Sequence, residues 1–159
     1  MKTSARIIIA ITFIAALFAA KILYTSTYSP YPDTVYVQRV VDGDTFIDKK
    51  RNRYRLIGVD TPELKRDNNP EEPFAKEATE YTTKLIEHKR VKLKFDQKKL
   101  DKYNRYLVYV YTPDGKMLNE LLLENGYAEV YKNDSYKFKK KFFIIENKAK
   151  KNKLRLWNQ

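Results

Sequence analysis

Three short stretches hold most of the side chains in this chain that could do chemistry. They read Val41-Asp42-Gly43-Asp44-Thr45, then Arg55-Leu56-Ile57-Gly58-Val59-Asp60-Thr61-Pro62-Glu63, then Asp101-Lys102-Tyr103-Asn104-Arg105. Asp44 and Asp60 each stand at the end of an expected strand, where a closed sheet could bring them together. Two carboxylates, a backbone carbonyl and several waters suit a hard divalent cation such as calcium. An ordinary Asx turn around Gly43 is the simpler reading of Asp42, and Asp44 is open between turn and ligand. Glu63 follows Pro62, whose ring pushes Thr61 away from helical geometry. A carboxylate fixed there could activate or orient a water beside a metal, or it could be a solvated loop glutamate. Arg55 and Arg105 are both open to being plain surface cations. If they converge, they repel each other unless an anion lies between them, and arginine offers paired donors to phosphate.

The composition leaves little other chemistry. The 159 residues include no Cys, which excludes disulfides, thiolate nucleophiles, cysteine zinc sites and iron–sulfur ligation. One histidine, His88, makes His-pair chemistry improbable, and it stands in a run of charges that marks a surface position. The 32 Lys+Arg against 20 Asp+Glu give a formal charge of +12, which points to a polyanionic partner, either nucleic acid or an anionic membrane. The length allows one ordinary domain, and 43% hydrophobic residues suffice for its core.

The elements that must position these residues follow from periodicity. Thr34 to Val41 alternates and is rich in Val and Tyr, so it reads as a strand that turns at Asp42-Gly43-Asp44 into Thr45-Phe46-Ile47. After a basic tip over 48–52, Arg53 to Val59 reads as a third strand, and Thr61 to Pro73 as a polar loop. Phe74, Ala78, Tyr81 and Leu85 mark one face of a helix. Val91 to Phe95 alternates strictly, and Arg105 to Tyr111 reads as a fifth strand closed by the turn Pro113-Asp114-Gly115. Leu118, Leu121 and Leu122 mark a second helix that ends at Asn125-Gly126. Phe138, Phe142, Ile145 and Ala149 mark a third helix with a lysine-rich outer face, and Trp157 is expected to anchor its end. The expected class is α+β, mainly β: a five-stranded Greek-key barrel of the OB-fold type with three packed helices.

Ahead of this domain, Lys2 and Arg6 precede fourteen uncharged, mostly apolar residues, Ile7 to Ala20, then Lys21 and Ile22-Leu23-Tyr24. A cationic start and an apolar run of this length have the layout of an export signal. Residues 7–24 approach the roughly 20 residues that span a bilayer if Lys21 snorkels to the interface. Residues 1–24 are therefore expected to be a signal peptide or an N-terminal membrane anchor, residues 25–33 a linker, and residues 34–159 a domain outside the cell, secreted or anchored. Without residues 1–24 the net charge is still +9, so the basic character belongs to the domain.

The three stretches in this order, with eight residues from Arg55 to Glu63, resemble the staphylococcal nuclease (thermonuclease) family. The resemblance runs from about Val40 to Trp157 and includes Gly126-Tyr127-Ala128-Glu129-Val130 and the Leu154 to Trp157 end. It implies one calcium ion held by Asp44, Asp60 and the Thr61 carbonyl. It further implies that Glu63 orients or deprotonates the attacking water, and that Arg55 and Arg105 grip the scissile phosphate. Lys102 and Tyr103 would hold the neighbouring phosphate, and Tyr131 is the counterpart of a base- or phosphate-contacting tyrosine. The implied activity is hydrolysis of DNA and RNA with little sequence preference, at the 5′ P–O bond, leaving 3′-phosphates; no obligate protein partner is inferred, and a monomer is expected. Three departures stand out: a shorter Asp44-to-Asp60 interval, a shortened segment from Lys132 to Tyr136, and Asn104 where family members often have Gly. Asn tolerates left-handed geometry, so the turn at Asn104 is expected to survive.

The physical requirements agree with that implication. Phosphodiester hydrolysis needs an in-line water, neutralisation of the pentacoordinate species and help for the leaving group. One metal and two arginines can supply the neutralisation without histidine, each preorganised donor contributing roughly 3–4 kcal/mol. The alternative reading is a non-catalytic nucleic-acid-binding module on the same barrel. Degenerate copies are expected to lose site carboxylates and arginines, whereas this chain keeps Asp44, Asp60, Glu63, Arg55 and Arg105.

Overall fold

The computed structural model describes residues 12–21, 30–65 and 70–158. The chain divides into two units, residues 1–32 and 33–159. In the first, residues 12–21 form helix α1 with every side chain exposed. No helix among the described residues is long and apolar enough to cross a membrane. Most of the expected export segment and linker, residues 1–11 and 22–29, lies outside the described residues.

The second unit runs β1 (Thr34–Asp42), β2 (Thr45–Asp48), β3 (Arg53–Leu56), β4 (Val59–Asp60), α2 (Ala75–Ile86), β5 (Arg90–Lys94), β6 (Tyr106–Tyr111), α3 (Leu118–Glu124), β7 (Glu129–Val130) and α4 (Lys139–Lys151). A 3-10 turn, Arg155–Trp157, follows. Five strands close into a barrel in the order β1-β2-β3-β6-β5, and β4 pairs with β7 in a separate two-stranded sheet. All barrel pairs are antiparallel except β3 with β6. This is the expected α+β barrel with α2, α3 and α4 packed around it.

Alternation explains why the strands close. Val35, Val37 and Val40 of β1 and Val91 and Leu93 of β5 point inward and are buried, while Arg90, Lys92 and Lys94 point outward. Register shifts in the β1–β2 ladder, between Val37 and Arg39 and between Val40 and Asp42, bend the long first strand. Inside, Phe46 stacks on Tyr54 at 4.8 Å between ring centroids. The Tyr54 hydroxyl donates to Asp48 Oδ2 at 2.9 Å, and burial with that carboxylate beside it pushes the phenol well above its ordinary value.

The expected strand Arg53 to Val59 is two strands. Gly58 adopts φ 75°, a left-handed conformation that breaks the ladder after Leu56. The amide of Asn119 on α3 fills the opening: Oδ1 accepts from Val110 N–H at 3.1 Å and Nδ2 donates to Ile57 O at 2.9 Å. Ile57 N–H still donates to Val108 O at 2.9 Å, so Asn119 takes the place of the next parallel rung. The chain beyond Gly58 then pairs with β7, a two-residue strand that periodicity does not reveal. Trp157 lies against α4, with Lys150 Nζ 4.2 Å from its ring centroid.

Candidate active site

The turn between β1 and β2 delivers Asp44 to the interior, where it is 3% exposed. A buried carboxylate needs donors, and Asp44 has several. Its Oδ2 accepts from Thr61 N–H at 2.9 Å and from Thr61 Oγ1 at 3.0 Å, and its Oδ1 accepts from Thr45 Oγ1 at 3.1 Å. Two features let the turn approach Thr61 so closely. Thr82 of α2 donates to Gly43 O at 2.7 Å, and a Cβ on Gly43 would stand 2.7 Å from Thr61 Oγ1, so only glycine fits.

The β2–β3 hairpin sets Arg55 opposite Thr45, beside Asp44. The Arg55 guanidinium meets Asp44 through Nη1, and through Nη2 it meets Asp60 Oδ1 at 2.5 Å. Burial pulls the Arg55 pKa down; Asp60 opposes that, and the like charge of Arg105 adds to it. Arg55 and Arg105 line the same cleft, so their like charges oppose each other there.

Arg105 is positioned by Asp101, whose Oδ2 accepts from Nε at 2.6 Å and whose Oδ1 accepts from Arg105 N–H at 2.9 Å and Tyr103 N–H at 2.8 Å. Burial raises the Asp101 pKa, but these donors outweigh it and hold the carboxyl below its ordinary value. Asn104 takes φ 59°, so the turn survives without glycine as expected. Tyr103 is 66% exposed, with Lys102 Nζ 5.0 Å and the Arg105 guanidinium 5.5 Å from its ring centroid.

A cleft gathers Arg55, Lys102, Tyr103, Arg105, Tyr131 and Tyr136. Tyr136, which carries no signal in the sequence pattern, knits its wall by donating toward Tyr131 O at 2.9 Å and Gly58 O at 3.3 Å. Burial pushes its pKa up to about 12, so the phenol stays a donor at neutral pH. Tyr131 also lines a second hollow with Asp60 and Thr61.

Of the nine residues expected at the site, eight lie about Arg55 or line these adjoining hollows. Glu63 does not line either one. It is exposed at the start of the loop, where its N–H donates to Glu72 Oε2 at 2.9 Å and its carbonyl accepts from Glu72 N–H at 3.0 Å. The loop then passes through residues 66–69, outside the described residues.

No group of three or more His, Cys, Asp or Glu that could hold a metal occurs among the described residues. The chemistry of the donors nevertheless fits a hard cation. One oxygen from each of Asp44 and Asp60 converges on a single positive centre, here the Arg55 guanidinium. Thr61 is bound to Asp44 through its N–H and hydroxyl, and the Asp60 side chain is 54% exposed, open to water ligands.

Comparison with known proteins agrees with this architecture. Residues 53–159 match the family model described as staphylococcal nuclease homologue. The thermonuclease of Staphylococcus hyicus is 33% identical over 93% of this chain and 95% of its own length. That of Staphylococcus intermedius is 38% identical over 80% of this chain and 77% of its own. The endonuclease YncB of Bacillus subtilis (strain 168) is 36% identical over 79% of this chain and 62% of its own. On the barrel, the ordered motifs and these matches, the chain belongs to the staphylococcal nuclease family.

Proposed function

We propose that the chain is an exported, calcium-dependent nuclease that hydrolyses phosphodiester bonds of DNA and RNA with little sequence preference. One observation carries this reading: two arginines, buried enough to be directed, converge on one cleft beside a pair of carboxylates. Two thermonucleases and an endonuclease among the relatives support it. Export rests on the cationic and apolar character of residues 1–24, which would leave the domain outside the cell, secreted or anchored.

In this reading Arg55 and Arg105 bind the scissile phosphate and offset the charge that builds on it. Lys102 and Tyr103 hold the adjoining phosphate, and Tyr131, which lines the same cleft, contacts the nucleotide. A water oxygen bonds to phosphorus while the bond to the 5′ oxygen breaks, its electron pair leaving on that oxygen. The water gives up a proton to Glu63 or through it to solvent, and the 5′ oxygen takes one from solvent. Calcium, held by Asp44, Asp60 and the Thr61 carbonyl, would supply positive charge next to the phosphate. The Arg55 charge is offset by Asp44 and Asp60 as the site stands, so its hold on phosphate strengthens once another cation neutralises them.

The test is incubation of the full chain with single-stranded DNA in calcium and then in excess chelator. Degradation in calcium that stops on chelation is expected. Equal degradation in both, or none in either, would sink the proposal; binding without cleavage would favour a non-catalytic module.

A further inference from the structure

We propose that the outer face of β5 is a second nucleic-acid-binding surface, which holds single-stranded backbone outside the cleft and leads it in. The ligand class is taken from the nuclease reading, on which this inference rests. Arg90, Lys92 and Lys94 alternate with buried Val91 and Leu93, so all three cations leave the barrel on one side. Successive cations at this i, i+2 spacing stand about 6.8 Å apart, a step that an extended strand can match phosphate for phosphate. None of the three has a carboxylate within ion-pair distance among the described residues.

Two tyrosines flank this ladder on the paired strands. Tyr36 of β1 is opposite Arg90, and Tyr111 of β6 is opposite Lys92. Both rings are half-buried, and each carries an ammonium near its face, Lys49 Nζ at 4.1 Å and Lys94 Nζ at 5.2 Å from the centroid. Cations that follow a backbone with aromatic rings beside them are what sequence-tolerant single-strand binding requires. The chain leaving the strand runs to the cleft. Two residues beyond the end of β5, Asp96 lines the cleft that holds Arg55 and Arg105. Its carboxylate is occupied by Tyr109 OH at 2.6 Å, Lys137 N–H at 2.7 Å and Gln97 N–H at 2.8 Å.

Helix α4 presents an equal charge, with Lys140, Lys148 and Lys151 exposed and Ile144 exposed among them. No ring adjoins those three lysines among the described residues, which makes α4 the control for charge without a built surface.

The experiment compares the full chain with the triple variant Arg90→Gln, Lys92→Gln, Lys94→Gln and with Lys140→Gln, Lys148→Gln, Lys151→Gln. Binding of a 40-nucleotide single strand is read by anisotropy in chelator, and hydrolysis of a tetranucleotide is read in calcium. The β5 variant is expected to bind the long strand at least tenfold more weakly with unchanged tetranucleotide turnover, and the α4 variant less than threefold more weakly. Removing three cations that each neutralise one phosphate, at about 0.7 apiece, would lower the salt slope by about 2. From 50 to 200 mM salt the parent should then lose about twentyfold more affinity than the β5 variant. Equal losses in the two variants, or none in the β5 variant, would overturn the inference. If binding behaves as expected but nothing is cleaved, the surface stands and the nuclease reading falls. Vesicles containing phosphatidylserine form the last arm: loss of vesicle binding in the β5 variant with DNA binding intact would assign the face to membrane and overturn the proposal.

Discussion

Replacing Asn119 with Leu tests whether one buried amide holds the barrel open next to the cleft. Asn119 is fully buried, and its two good hydrogen bonds go to Val110 N–H and Ile57 O, the partners of the missing parallel rung. Leucine keeps the branching and heavy-atom count of asparagine, so the main cost is a backbone donor and a backbone acceptor left without partners. Each such group costs about 1–3 kcal/mol, giving about 4 kcal/mol in all. A domain of this size holds about 5–15 kcal/mol, so the loss is a large fraction of the whole. Urea unfolding followed by the fluorescence of the single tryptophan, Trp157, is the assay. With a slope of about 2 kcal/mol per molar, the midpoint should fall by about 2 M at unchanged slope. A loss below about 1 kcal/mol would mean that Val110 N–H and Ile57 O move together and pair directly. That result would refute the role given to the amide.

Three further outcomes are expected. Glu63→Ser should lower kcat about 10²–10³-fold with only a modest change in nucleotide binding and no change in stability, and a destabilised variant would return Glu63 to a structural role. Asp101 is held below its ordinary 3.8 despite burial, so its contribution to stability is present above that value and lost as pH falls through the lower, folded-state pKa. Thermal midpoints taken below about pH 4 should therefore fall less steeply for Asp101→Asn than for the parent, and parallel curves would contradict this. Calcium at a hundredfold excess over its dissociation constant should stabilise the parent by about 2.7 kcal/mol, and Asp44→Asn should lose most of that increment.

Elements whose burial repeats with a period were legible in the sequence. The strands β1 and β5 and the three helices packed on the barrel fall where alternation or helical spacing puts them. Strand β6, with Val108, Tyr109 and Val110 all buried, falls where a short β-branched and aromatic run before a turn puts it. The break inside Arg53 to Val59 was not legible, because the apolar run continues across it. Gly58 permits the break, but the Asn119 amide, 62 residues beyond Ile57, holds it open. Strand β7 is too short for any period, and it exists because β4, freed from the barrel, needs a partner. The site divides in the same way. Arg55, Asp60 and Thr61, like Asp101 to Arg105, were legible as contiguous stretches of unlike chemistry. Tyr136 was not, since a single tyrosine that bonds two distant backbone carbonyls leaves no pattern. Asp101 stood within a recognised stretch without a role, which only its geometry around Arg105 supplies.

The placement of charge in the site changes what the basic composition means. The two arginines that the sequence assigns to phosphate are each already offset, Arg55 by Asp44 and Asp60, Arg105 by Asp101. With Lys102 in the same cleft, Asp44, Asp60 and Asp101 face three cations, so these charges nearly cancel and the centre by itself attracts a polyanion only weakly. The domain's +9 must act from elsewhere. Exposed cations such as Arg90, Lys92 and Lys94 can gather the strand, while a divalent cation at Asp44 and Asp60 would make the centre positive. Capture and hydrolysis then have different requirements: capture should weaken with salt and survive chelation, and hydrolysis should not survive chelation.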